Sequence, residues 1–96
     1  MTKRKKHYDI VEVVWMDAEE EGDVGWNCLA KQLREAKKPC PEMHSVGYEV
    51  YRDGSHIALL STMGKDLGST LEKIPMGMVI RVTKMSQNNP ASSDID

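Results

Sequence analysis

The residues able to do chemistry in this sequence fall into a few small groups, and each can be tested against the spacing its chemistry demands. Asp17, Glu19 and Glu21 place carboxylates at alternate positions ahead of Gly22, which is how a calcium loop begins. The twelfth position of such a loop is Cys28 here, where a bidentate Glu is required, so the EF-hand pattern fails. Cys40, His44 and His56 supply a thiol and two imidazoles, but a closed zinc site takes four ligands at paired spacings, and only Cys40 and His44 are local to each other. Neither a metal nor a cofactor is therefore expected. A Cys–His nucleophile pair would need an oxyanion hole, and no glycine constellation builds one. There is no P-loop, no GxGxxG and no nucleophile elbow, so the sequence reads as non-enzymatic.

What remains is chemistry of binding. Glu19, Glu20 and Glu21 form an acidic run beside Trp26, suited to docking on another protein. Tyr51, Arg52 and His56 gather stacking and cationic groups near a predicted turn. With the basic run Lys3, Arg4, Lys5 and Lys6 they make an alternative nucleic-acid surface. Trp26, Tyr51 and Arg52 are also the candidates for holding a small nucleotide-like ligand between subunits of an oligomer. Against phosphate binding stand the acidic loop, a formal net charge of −2 and a pI near 5.9.

These residues must be positioned by short elements. Residues 8–16 alternate, with Val11, Val13 and Trp15 on one side and Ile10, Val14 and Met16 on the other, which predicts a strand covered on both faces. An acidic loop comes next, holding five carboxylates between positions 17 and 23. Asn27 is placed to cap a helix on which Leu29, Leu33 and Ala36 fall at i, i+4 and i+7, before Lys37, Lys38 and Pro39 end it. That helix is expected to lie on the sheet or plug one end of a barrel.

Asp53-Gly54 predicts a two-residue hairpin turn, with Arg52 opposite Ser55, Val50 opposite Ile57 and Tyr48 opposite Leu59. Val46, Tyr48, Val50, Ile57 and Leu59 would then share a core face. A short strand over 69–73, a 3₁₀ turn at Ile74-Pro75-Met76-Gly77 and a last strand with Met78, Ile80 and Val82 on one side complete the pattern. The fold expected is mainly β with one short helix: a small antiparallel SH3-like or Sm-like barrel, or alternatively an open α+β sheet with the helix packed on one face. The predicted core is Val11, Val13, Trp15, Leu29, Leu33, Val46, Tyr48, Val50, Ile57, Leu59, Ile80 and Val82.

The 96 residues support one domain with a single modest core. The absence of Phe leaves Trp, Tyr and seven Met to supply bulk. Residues 1–7 read as a basic flexible arm, 8–85 as the domain and 86–96 as a disordered polar tail. The arm resembles the start of a signal peptide, but Asp9 and Glu12 interrupt the apolar stretch after it and no small-residue cleavage site appears. No apolar run reaches the roughly 20 residues that span a bilayer. A cytoplasmic protein with Cys28 and Cys40 as free thiols is expected.

Taken in order, Val-Val-Trp-Met-Asp-Ala at 13–18, Gly25-Trp26, Ser-Val-Gly-Tyr at 45–48, the apolar run 57–62 ending in Ser-Thr, and Ile-Pro-Met-Gly-Met-Val-Ile at 74–80 resemble a family of small uncharacterised proteins of tailed bacteriophages and prophages. The resemblance covers residues 11–85 and rests on the order of the motifs. The longer segment 27–41, the basic arm and the tail depart from it. It implies no catalytic residue. What it implies is a phage accessory protein acting in the cytoplasm of an infected bacterium, by binding a host or phage protein.

Overall fold

The structure, a computed structural model, describes residues 7–85. The expected basic surface at Lys3, Arg4, Lys5 and Lys6 and the expected tail 86–96 lie outside the described residues. The elements are β1 (Ile10–Met16), α1 (Leu29–Ala36), β2 (Glu42–Arg52), β3 (His56–Met63), β4 (Gly68–Pro75), a single 3₁₀ turn η1 (Met76–Met78) and β5 (Val79–Lys84). All five strands join one antiparallel sheet in the order β4-β3-β2-β1-β5.

The two edge strands are consecutive in sequence. A flat five-stranded sheet would hold its edges about 19 Å apart, at about 4.8 Å per strand step. The four peptide steps from Pro75 to Val79 span at most about 14 Å. The sheet is therefore curled, and η1 caps the curl, with the Met76 N–H donating to the Ser55 carbonyl at 2.9 Å and the Met76 side chain packed on the core. No β4–β5 ladder closes the curl into the expected barrel; the sheet is open.

The core lies on the concave face. Val11, Val13, Ile57, Leu59 and Ile74 form a buried cluster, with Trp15, Met76, Val79 and Val82 packed against it. Trp15 fits at this margin because its indole N–H donates to the Ser45 hydroxyl at 3.0 Å. Gly47 faces the same side, and its lack of a side chain permits a close crossing: a Cβ there would lie 2.8 Å from the Leu60 carbonyl oxygen.

Three expectations about the core are corrected. The hairpin turn is one residue later than predicted, because the Asp53 carboxylate accepts from the Ser55 and His56 N–H groups and the Asp53 N–H donates to the His56 carbonyl. Gly54 and Ser55 thus form the loop and Arg52 opposes Ile57. An irregularity between Glu49 and Tyr51 then sets Tyr48 opposite Leu60, and pairing with Val11 and Glu12 puts Gly47 on the core face and Val46 and Tyr48 on the other. Val46 is exposed accordingly.

In the last strand, a bulge where β5 meets Val14 and Trp15 turns Val79 and Val82 inward and leaves Ile80 exposed. The helix, finally, neither covers the sheet nor plugs an end. Leu29 and Leu33 remain 66% and 56% exposed, and no α1 residue is buried. The concave face is filled by Trp15, Met76, Val79 and Val82 instead, which leaves the two leucines no place in it. Val14, Ala58 and Ile74, absent from the predicted core, are buried.

Candidate functional site

The segment between β1 and β2 is an excursion from the sheet. It closes at its base, where the Asp17 N–H donates to the Pro41 carbonyl at 3.0 Å. Within it, Gly22 and Gly25 adopt φ of 96° and 117°, values that disfavour any side chain, and these two reversals carry the chain round a tight tip. The Asn27 amide donates to the Asp23 carbonyl at 2.8 Å and braces the tip. Asn27 therefore does not cap α1; Cys28 occupies the N-cap without a side-chain hydrogen bond.

This geometry presents Val24 and Trp26 fully to solvent. Glu19, Glu20 and Glu21 are exposed beside them. The Lys38 ammonium pairs with Glu35 at 2.8 Å, which raises its pKa, and Glu21 and Glu19 add to that field. The acidic run thus lies on the α1 side of the insert, and between loop and helix is a cleft of about 500 Å³ into which both free thiols, Cys28 and Cys40, open.

The hairpin at the other end of β2 holds the remaining predicted site residues. Ten residue steps of strand put it about 30 Å or more from the base of the insert. Trp26 and Tyr51 are not brought together. Tyr51 and His56 do meet, with ring centroids 5.3 Å apart and planes tilted by 32°. Arg52 is turned to the opposite face, where its Nε and Nη2 donate to both Glu49 carboxylate oxygens at 2.9 and 2.8 Å. The Tyr51 hydroxyl donates to Asp53 at 2.7 Å. That bond, with those from the His56 and Ser55 backbones, holds the Asp53 carboxyl well below the usual carboxylate range and raises the Tyr51 pKa in turn. The predicted stacking-and-cation surface is therefore divided between two faces, and its guanidinium is already neutralised.

Ser55, His56 and Asp53 superficially resemble a nucleophile, base and orienting acid. The Ser55 hydroxyl lies 2.9 Å from His56 Nδ1 and the nearest Asp53 oxygen 3.7 Å from the same nitrogen. A relay needs the two partners on different ring nitrogens, so this is a turn-capping cluster.

His44 is not placed with Cys40 in a metal site. It stands on β2 with Nδ1 3.0 Å from Glu12 and Nε2 2.9 Å from Glu42. Only the imidazolium donates to both carboxylates at once, and its pKa is raised for that reason. Glu42-x-His44 on a strand, with an acid on its neighbour, is a signal readable in the sequence once β1 and β2 are paired. Among the described residues, no three His, Cys, Asp or Glu side chains gather as a metal ion would need, and no helix is long and apolar enough to cross a membrane.

Comparison with protein-family models, with curated proteins and with solved structures finds no match to this chain.

Proposed function

We propose that this chain is a non-enzymatic phage accessory protein that acts in the cytoplasm of an infected bacterium by binding a host or phage protein, and that the tip of the β1–β2 insert is its contact element. The observation that carries this reading is the full exposure of Val24 and Trp26 on a braced loop beside three exposed carboxylates. A large aromatic side chain turned out into water gains free energy when a partner covers it. The acidic flank gives the contact a sign: the partner surface is apolar at its centre and cationic at its rim. The phage origin is supported by the ordered motifs along β1, β2, β3 and the β4–β5 connection. The curl of the sheet and the three-residue link between its edges support an SH3-like or Sm-like scaffold, here left open.

The test is affinity capture of the tagged protein from a bacterial host lysate, with and without nuclease, beside the Val24→Ser/Trp26→Ser variant. A nuclease-resistant protein captured by the natural chain and lost with the variant is expected. Capture of nucleic acid alone, or of a small nucleotide without protein, would replace this reading with the nucleic-acid or ligand-sequestration alternative.

A further inference from the structure

The root of the insert is the pair of strand ends from which it leaves and to which it returns. Met16, the last residue of β1, pairs with Glu42, the first of β2, and one step outward the Asp17 N–H donates to the Pro41 carbonyl. His44 lies on β2 two residues from that end, on the same face as Glu42. Its ring reaches Glu12 of β1 through Nδ1 at 3.0 Å and Glu42 through Nε2 at 2.9 Å. The imidazole is thus a cross-strand link from β1 to the residue at which the chain returns from the insert. The link exists in one protonation state. The imidazolium donates to both carboxylates, whereas a neutral ring has a single N–H and turns a lone pair toward the second carboxylate, which it repels. The Glu42 side chain is 52% exposed and that of Glu12 34%, so Glu42 is the one with water to move into. Among the described residues no other charged group is bonded to the ring. Arg81 of β5 is in its row but on the far side of Val14, and Lys73 of β4 shares the face two strands away from β2. β3 pairs with β2 only over residues 48–52, and the Asp17 carboxylate accepts from the Ala18 N–H at 2.8 Å.

We propose that Glu12, His44 and Glu42 form a proton-operated latch on the root of the insert. With the ring protonated, Glu42 is tied to β1, and the Met16–Glu42 pair and the Asp17–Pro41 clasp beyond it are held. With the ring neutral, Glu42 swings into water and these two outermost pairings fray. Fraying stops there, because the Trp15 indole is bonded to Ser45 on the other face and the core begins behind it. The latch is closed below the ordinary imidazole value near 6.5 and opens as pH rises through the value of the folded chain, which the hydrogen bonds to Glu12 and then Glu42 raise. A preorganised loop loses less freedom on binding. Given the contact role proposed above, on which this consequence rests, the insert binds its partner more tightly in mildly acid than in mildly alkaline solution.

The test is amide hydrogen exchange of the full chain followed by NMR from about pH 5 to about pH 8, with His44 titrated through its own ring resonances in the same samples. The reporter is the protection of the Asp17 amide, corrected for the intrinsic pH dependence of exchange, and the β3 amides are the reference. Asp17 protection is expected to fall several-fold as His44 loses its proton while the β3 amides keep theirs. In His44→Gln it should be low at every pH. In Glu42→Gln the side-chain amide can accept from the charged ring or donate to the neutral one, so the response should vanish although His44 still titrates. A flat Asp17 protection in the natural chain, a fall shared by the β3 amides, or a fall that survives undiminished in either variant would each overturn the proposal. Exchange is read with no partner present, so its outcome is separate from that of the contact reading.

Discussion

The β2–β3 hairpin and the insert between β1 and β2 both leave the sheet and return to it, but they are held by different forces. The hairpin is tied by a ladder of cross-strand bonds and buries Ile57 and Leu59 completely or nearly so. The insert is tied mainly by local bonds: Asn27 to Asp23, Lys38 to Glu35, and the single clasp of Asp17 to Pro41. The first is therefore part of the cooperative unit, and the second opens at little cost. Because the core contains no residue of the insert, the insert's residues are free of packing constraints, as the proposed contact role requires.

The largest effect that would break this division is in the core. Ile57→Ala should cost about 2–5 kcal/mol, while Leu33→Ala on the insert should stay within about 0.5 kcal/mol of the natural chain. Urea denaturation of both, under conditions where the chain is a monomer, measures the contrast directly. Equal losses would mean that the insert is packed after all.

Gly47→Ala sharpens the same point at the backbone. Its Cβ would meet the Leu60 carbonyl at 2.8 Å and Leu59 Cβ at 3.2 Å, and neither atom is the free end of a flexible chain. A cost of about 1–3 kcal/mol is expected, again by urea denaturation.

Smaller effects come from the two titrating clusters of the sheet. Asp53 is held below its unfolded pKa, so its stabilisation is complete above the ordinary carboxylate value and is lost as pH falls through the lowered folded value. Asp53→Ala should flatten the acid side of the stability profile. His44 is shifted the other way. Its contribution is complete below the unfolded value near 6.5 and is lost as pH rises through the raised folded one. His44→Gln should flatten the profile in that neutral window only. Urea midpoints against pH separate the two, and since both groups are exposed the changes should be modest.

Much of the sheet was legible because its signals are local. The alternation of residues 8–16 marked β1, Ile74-Pro75 marked the turn before β5, and Asp53-Gly54 located the hairpin to within one residue. The errors came from features that a period-two pattern does not carry. The Asp53 side chain decided which residues form the loop, and irregularities near Val50 and Trp15 decided which side chains of β2 and β5 face inward. Ile74 was missed because a residue preceding proline at the end of a short strand looks like turn, not core. Leu29 and Leu33 have the spacing of a packed helix, but whether a helix packs depends on room against the sheet, which the helix sequence does not encode. At the candidate site, Glu19, Glu20, Glu21 and Trp26 were legible as exposed groups. Val24 was not, since a lone valine in an acidic loop carries no signal until Gly22 and Gly25 turn it outward.

The most direct test of the central claim, that the sheet is a scaffold and the insert its contact element, is lysate capture with a chain in which residues 18–40 are replaced by a short glycine-containing turn joining Asp17 to Pro41. Those two residues already share a hydrogen bond, so the excision respects the sheet. The account predicts a chain that still melts cooperatively and captures none of the nuclease-resistant protein held by the natural one. Undiminished capture by the excised chain would contradict it.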